Sequence, residues 1–244
     1  VQHLPNLLEL DEEFEVVVVC DISAALAAYA ARRFKVPNHV SDFHALLDED
    51  IDAVLLCHSG GNQETVVAAF AAGKHVLVEK PIARSLQEID RMVAAQERAG
   101  KVGQAAYMKI YDPAFLMAAQ EIDAMDDYHF VQINHLHPHN KLHLAQFRLR
   151  YFDDVPTSAV EARREASWAR REEAFGELAE EAQRYGVAFG LIHDLYSLRT
   201  MLGVPSAVIS TEIWHGNRDI NTVLEFPNGA RCVLSHVDLV DLWD

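Results

Sequence analysis

Residues 52–81 read DAVLLCHSGGNQETVVAAFAAGKHVLVEKP. Two short apolar runs stand at its ends, Asp52–Cys57 and His75–Val78. Their continuous apolar character, without alternation, is that of strands buried on both faces. Between them, Thr65–Ala72 carries Val66, Val67 and Phe70 on one side, as a helix does, and Gly73 is placed to stop it. A strand, a helix and a second strand imply a parallel βαβ unit.

The same alternation extends in both directions. Upstream, Glu15–Cys20 (EVVVVC) is a further buried strand, followed directly by Asp21. Ser23 can cap a helix over Ala24–Phe34, and Ser41 a short one over Phe43–Leu47. Downstream, Ser85-Leu86-Gln87-Glu88 is a capping box, its helix runs to about Arg98, and Gly100 ends it. Val102–Met108 is read as the next strand. Residues 1–110 therefore form an α/β domain with a doubly wound parallel sheet. After Pro113 the texture changes. A helix near Ala114–Ile122 precedes an alternating strand, Tyr128–Leu136. Residues 155–184 are charged and alanine-rich, as in polar surface helices, and a less polar helix spans Ile192–Leu202. Ala207–Trp214, Ile220–Phe226 and Arg231–Val237 are strands, the last two joined by the turn at Pro227-Asn228-Gly229. Residues 111–244 thus read as a second, α+β domain with an open, mainly antiparallel sheet.

Lys plus Arg number 21 and Asp plus Glu 37, a formal charge of −16. Such a chain repels phosphate backbones and anionic headgroups, so nucleic acid and membrane surfaces are not expected partners. The apolar runs are too short to span a bilayer, and Val1–Leu10 lacks the features of a signal peptide. Cys20, Cys57 and Cys232 are widely spaced within strand-like runs. Free thiols in a reducing cytoplasm are expected.

A strand and Gly-x-Gly-x-x-Gly normally open a dinucleotide-binding domain. No such pattern precedes EVVVVC. Val1–Leu8 has the look of the helix that follows the loop, and Gly60-Gly61 is the nearest glycine pair. The expectation is that the first strand and its loop lie outside this sequence, as does the end of the second sheet beyond Val240–Asp244.

Gly73–Pro81, GKHVLVEKP, resembles the Gfo/Idh/MocA family, the glucose–fructose oxidoreductases and inositol dehydrogenases. The resemblance runs from about His3 to Leu239 and is strong over residues 15–113. It implies a Rossmann domain, then an α/β domain with an open antiparallel sheet through which relatives commonly pair. It also implies hydride transfer between a nicotinamide cofactor and a sugar, cyclitol or other polyol. Asp21 matches the acidic position after the second Rossmann strand, with Ile22 beside it. A carboxylate there accepts ribose hydroxyls and repels a 2′-phosphate, which favours NAD over NADP; an Asp capping the next helix is the plainer alternative. Cys57-His58-Ser59 stands where the family has Thr-Pro-Asn, and Asn62 at a common His. Ser59, Asn62, Glu79 and Lys80 are expected near the cofactor. Lys80, at a strand's C-terminal edge, would polarise the reacting oxygen, with Glu79 orienting it.

The stretch Tyr107–Pro113 resembles the family's aromatic–Met–Arg–Arg–Tyr–Asp segment, which gives Lys109 a place in the substrate pocket. Residues 186–203, GVAFGLIHDLYSLRTMLG, resemble the segment that holds the catalytic histidine, here His193. A histidine suits proton exchange near neutrality. The family's supporting aspartate corresponds to Phe189, and Asp194 is the nearest carboxylate, though one step along a helix points about 100° away. His135, His137 and His139 alternate, with His143 following. On an extended segment the first three share a face, a zinc-like spacing without a neighbouring carboxylate or cysteine in the sequence to complete a ligand set. No metal is expected. The resemblance instead places His135 and His137 on substrate hydroxyls, and polar residues at a strand exit are the plainer reading. Two other functions stay open: NAD-dependent glycoside cleavage by transient oxidation, and a non-catalytic nucleotide- or sugar-binding homologue.

Overall fold

The computed structural model describes residues 2–58, 62–125, 127–138, 140–147, 149–184 and 190–239. The apolar runs form strands shorter than their hydrophobic extent: β1 Val18–Cys20, β2 Asn38–Val40, β3 Ala53–Leu56, β4 His75–Val78 and β5 Gly103–Ala105. The sequence reading missed β2, whose residues are too polar to announce a strand. β1 pairs with β2, and β3, β4 and β5 form a second ladder; every pairing is parallel. Among the described residues no strand hydrogen-bonds β1 to β3. The two parallel ladders are separate among the described residues.

Helices α1 (His3–Glu9), α2 (Ala24–Phe34), α3 (Phe43–Leu47), α4 (Asn62–Ala71) and α5 (Leu86–Ala99) alternate with these strands. Ser23 caps α2 by accepting the Leu26 N–H at 3.0 Å. Asp42, not Ser41, caps α3, accepting the Ala45 N–H at 2.9 Å. α4 begins at Asn62, ahead of the expected Thr65. It ends as expected at Gly73, whose φ of 73° lets the Lys74 N–H return to Ala69. Ser85 caps α5, while Glu88 reaches back to the Arg84 N–H at 2.7 Å. The strand expected over Val102–Met108 stops at Ala105, and Met108–Tyr111 is a 3₁₀ turn. The chain must turn there because Asp112 caps α6 (Pro113–Asp123), accepting the Ala114 N–H at 2.8 Å. Val54, Leu56, Val76 and Val78 from the strands close on Val66 and Phe70 of α4 and Met92 of α5.

The chain divides into two compact units, Val1–Ala105 with Leu144–Ala174, and Ala106–His143 with Phe175–Asp244. The segment 144–174 thus packs with the first unit although it follows α7 (Asn140–Ala145) in sequence. As expected of a surface helix, α8 (Thr157–Phe175) has no buried residue, yet some charges of the segment have partners. On α8 the Arg170 side chain, 15% exposed, meets Glu64 at 3.2 Å and the buried Glu88 at 3.4 Å, and Glu173 pairs with Arg91. Asp154 accepts hydrogen bonds from the Ser23 hydroxyl and, at 2.9 Å, the Ala25 N–H.

In the second unit, β6 (Phe130–His137), β7 (Ala207–Trp214), β8 (Asp219–Glu225) and β9 (Arg231–Asp238) form one sheet in the order β6-β9-β8-β7. β7–β8 and β8–β9 are antiparallel, as expected; β6 and β9 are parallel, so the sheet is mixed. One face carries Val131, Ile133, Leu224, Cys232 and Leu234 and meets Leu191 and Leu198 near and on α10 (Ile192–Leu202), which follows the short α9 (Ala179–Arg184). His236 follows the same alternation and is buried at 5% exposure. Burial holds its imidazole below the usual histidine pKa, and His135 and His137 push the same way against the opposing pull of Asp194 and Asp238. No helix among the described residues is long and apolar enough to cross a membrane.

Leu234 is 0% exposed, so Leu234→Ala is expected to lower unfolding free energy by about 2–5 kcal/mol. Leu86→Ala, at a residue 78% exposed, is expected to stay within about 0.5 kcal/mol; urea denaturation compares them. A second expectation concerns pH. The unfolded chain protonates His236 near 6.5, before the folded chain does, so this histidine costs stability as pH falls below that value and nothing above it. His236→Gln should therefore lose less stability than wild type between pH 7.5 and 5.5, read from paired urea melts. Equal losses would show that His236 is not the titrating group.

Candidate functional site

In a parallel sheet the residues that leave each strand gather at one edge, the C-terminal one. Asp21 leaves β1 there. Its Oδ1 accepts the Ser23 N–H at 2.9 Å, while Oδ2 makes no hydrogen bond among the described residues. Asp21 thus joins the start of α2, as the plainer reading held, and still presents one oxygen. Ile22 beside it is half exposed. Burial, then the charges of Asp21 and Asp42, push the Cys20 thiol up to about 11. Asn62, at the start of α4, is buried; its amide donates to the Pro81 carbonyl at 3.2 Å, and its Oδ1 is buried without a partner. Ser59 and the Gly60-Gly61 pair lie outside the described residues.

Glu79 and Lys80 leave β4 at its C-terminal end. Glu79 does not reach the Lys80 ammonium. One of its oxygens takes His3 Nε2 at 2.7 Å and the other accepts the Lys80 backbone N–H at 3.1 Å. It fixes the backbone that carries Lys80. The Lys80 side chain is partly buried and makes no hydrogen bond or ion pair among the described residues. His3 was missed by sequence reasoning; no local pattern links it to a glutamate 76 residues away. The first unit thus presents a free Asp21 carboxylate oxygen, an orphaned buried Asn62 amide oxygen and an unpaired Lys80 ammonium, groups whose chemistry suits a polar, hydroxyl-bearing ligand.

In the second unit, parallel pairing sets His135 of β6 beside His236 of β9. Their ring centroids are 4.6 Å apart, and His137 lies 5.7 Å from each. A Cβ at Gly190 would stand in tight contact, 3.3 Å from the His236 ring. The carboxylate that the sequence did not reveal comes from α10: Asp194 Oδ2 is 2.7 Å from His135 Nδ1, with side chains 16% and 20% exposed. Even so, no three His, Cys, Asp or Glu side chains among the described residues are grouped to hold a metal ion. His139, the His143 side chain and Phe189 lie outside the described residues.

His193 faces another way. Its Nδ1 is 2.9 Å from the Tyr196 hydroxyl. That hydroxyl also accepts the Lys109 N–H at 3.4 Å, and Tyr107 stacks on the Tyr196 ring at 4.6 Å. Tyr196 is the second residue missed by sequence reasoning, although its spacing of i+3 from His193 on a helix was the available signal. The Lys109 side chain is exposed and lines an open cavity of about 410 Å³ with Met108, Asp112, Phe115 and Ser197. His135 thus rests on a carboxylate and His193 on a phenol.

Comparison with known proteins agrees with this geometry. Residues 1–107 match the model of the GFO_IDH_MocA oxidoreductase family, described as an NAD-binding Rossmann fold. Inositol 2-dehydrogenase of Salmonella typhimurium (strain LT2) is 32% identical over 126 residues, 50% of this chain and 38% of that protein. The inositol 2-dehydrogenase of Paracoccus denitrificans is 44% identical over 78 residues, 31% of this chain and 23% of that one. The matches thus span well under half the length of these relatives. Among solved structures, scyllo-inositol dehydrogenase from Lactobacillus casei with bound NAD(H) and scyllo-inositol superposes with a TM-score of 0.72. It is 17% identical, over 97% of this chain and 65% of that one. Myo-inositol 2-dehydrogenase from Lactobacillus plantarum gives 0.73 at 16% identity, over 97% and 66%. These likenesses establish the fold. Residues 1–107 are thus similar to the NAD-binding Rossmann domain of the GFO_IDH_MocA oxidoreductase family.

Proposed function

We propose that this chain carries the chemistry of an NAD-dependent oxidoreductase that moves a hydride between nicotinamide and a sugar, cyclitol or related polyol. The observation that carries the reading is the partly buried, unpaired Lys80 ammonium at the C-terminal end of β4, in a domain matched to an NAD-binding fold. When bound, the nicotinamide supplies the hydride chemistry; the protein supplies orientation, proton exchange and electrostatics. We assign residues 1–110 to cofactor binding, with Asp21, Ile22, Ser59, Asn62, Glu79 and Lys80 along the dinucleotide. We assign residues 111–244 to substrate binding and self-association, with Lys109, His135, His137 and Asp194 toward substrate hydroxyls. Lys80 polarises the reacting oxygen and His193 exchanges its proton. The exposed Phe130 and Leu136, on the β6 side facing away from the packed core, favour pairing of subunits through that face. Three free thiols fit a reducing cytoplasm.

NADH is expected to bind at least about tenfold more tightly than NADPH, because Asp21 and its neighbours oppose a 2′-phosphate. Asp21→Ser should narrow that ratio, measured by nicotinamide fluorescence titration. Lys80→Ala should lower kcat for polyol oxidation by roughly 100-fold, the scale of one lost electrostatic stabiliser. A protein that binds no NADH and oxidises no member of a cyclitol and hexose panel would remove the dehydrogenase reading altogether.

A further inference from the structure

We propose that His135, held by Asp194, is a proton-accepting catalytic residue of this chain, alongside or in place of His193. The inference rests on the dehydrogenase reading and deepens it.

A carboxylate accepts hydrogen bonds and does not donate them. With Asp194 Oδ2 at 2.7 Å, Nδ1 of a neutral His135 must carry the hydrogen, and the lone pair is left on Nε2. No described residue hydrogen-bonds that Nε2, and it is not one of the buried unpartnered polar atoms, which are Asn62 Oδ1 and His236 Nδ1. The His135 side chain is 20% exposed. This is the arrangement that makes an imidazole a positioned base: one nitrogen fixed by a carboxylate, the other free to reach a hydroxyl. His193 has a phenol on Nδ1 instead. A phenol can donate or accept, so it does not fix the tautomer, and it carries no charge to offset an imidazolium.

The surroundings suit one proton at a time. His135 faces His137 on its own strand, His236 on β9 and Asp194 on α10. Burial disfavours charge on His236, so a proton taken up at His135 meets one nearby carboxylate and a neutral neighbour. In the oxidation direction the substrate O–H bond breaks and its proton goes to His135 Nε2. The C–H bond breaks and its hydrogen, with the electron pair, goes to the nicotinamide ring. The alcohol becomes a carbonyl, NAD becomes NADH, and His135 later releases the proton to water. Asp194 keeps its charge throughout and is a positioning residue.

The test pairs a tautomer measurement with kinetics on the full chain. In ¹⁵N-labelled protein, long-range ¹H–¹⁵N spectra should show neutral His135 protonated on Nδ1. Asp194→Asn should lose that tautomer preference, and Asp194→Glu should retain it. With NAD and myo-inositol or glucose as probes, His135→Gln should lower kcat by roughly 100-fold, the scale of a lost general base, with KM for NAD unchanged. Asp194→Asn should lower kcat by about tenfold or more, with rescue by Asp194→Glu, and His193→Gln should cost less than His135→Gln. An Nε2-protonated His135 in wild type overturns the proposal. So does a His135→Gln enzyme that keeps kcat within about threefold while His193→Gln abolishes it. If wild type binds no NADH and turns over neither probe, the dehydrogenase reading fails and takes the catalytic role with it; the tautomer spectra then show separately whether the His135–Asp194 pair exists.

Discussion

Parallel strand pairing is the constraint on which both units depend. Parallel neighbours cannot be joined by a tight turn, so the chain must leave each strand at one edge and return by a crossover. In the first unit that rule puts Asp21 and Glu79-Lys80 each at the C-terminal end of a parallel strand, with Asn62 on the crossover between β3 and β4. In the second unit it sets residues about 100 positions apart in direct register, His135 beside His236. Antiparallel pairing of β6 with β9 would have placed other side chains against His135. The chemistry of each unit is therefore a product of strand direction as much as of residue type.

The first unit was largely legible because its signals are local. A buried parallel strand announces itself by a continuous apolar run, and a helix by its period and its caps. Ala24–Phe34, His75–Val78 and Ile192–Leu202 needed nothing else. The errors arose where local signals compete. Ser41 and Asp42 are both good caps, and the choice between them is made by the angle at which the chain enters α3. Val102–Met108 has a strand-like composition, but Asp112 and Pro113 fix a helix start that the strand must stop short of. β2 is held by its pairing with β1 rather than by its own residues, so its sequence is silent.

The candidate site could be proposed from the sequence as residues and not as pairs. Lys80, Asp21, His135 and Asp194 could all be named from motif and position. Their partners could not. Glu79 was expected to orient the Lys80 ammonium and instead binds its backbone and His3; Asp194 was weighed against its neighbour His193 and instead supports His135. In each case the partner lies on an element far away in sequence, and no periodicity carries that information. Helical geometry did carry the negative half of it: adjacent residues point apart, so Asp194 and His193 serve different neighbours.

The segment 144–174 has a consequence for the order in which the protein is made. It supplies the Asp154 carboxylate at the start of α2 and the Arg170 that meets Glu88, yet the ribosome delivers it after β6. During synthesis the first unit must wait, with the start of α2 lacking its Asp154 partner and the buried Glu88 without its arginine, until more than a third of the intervening second unit has emerged. Domains usually fold as they appear; this one is stitched shut from downstream. A ribosome stalled before Leu144 would therefore expose a half-closed dinucleotide domain to chaperones and proteases, and quality control of this protein would act on that interval.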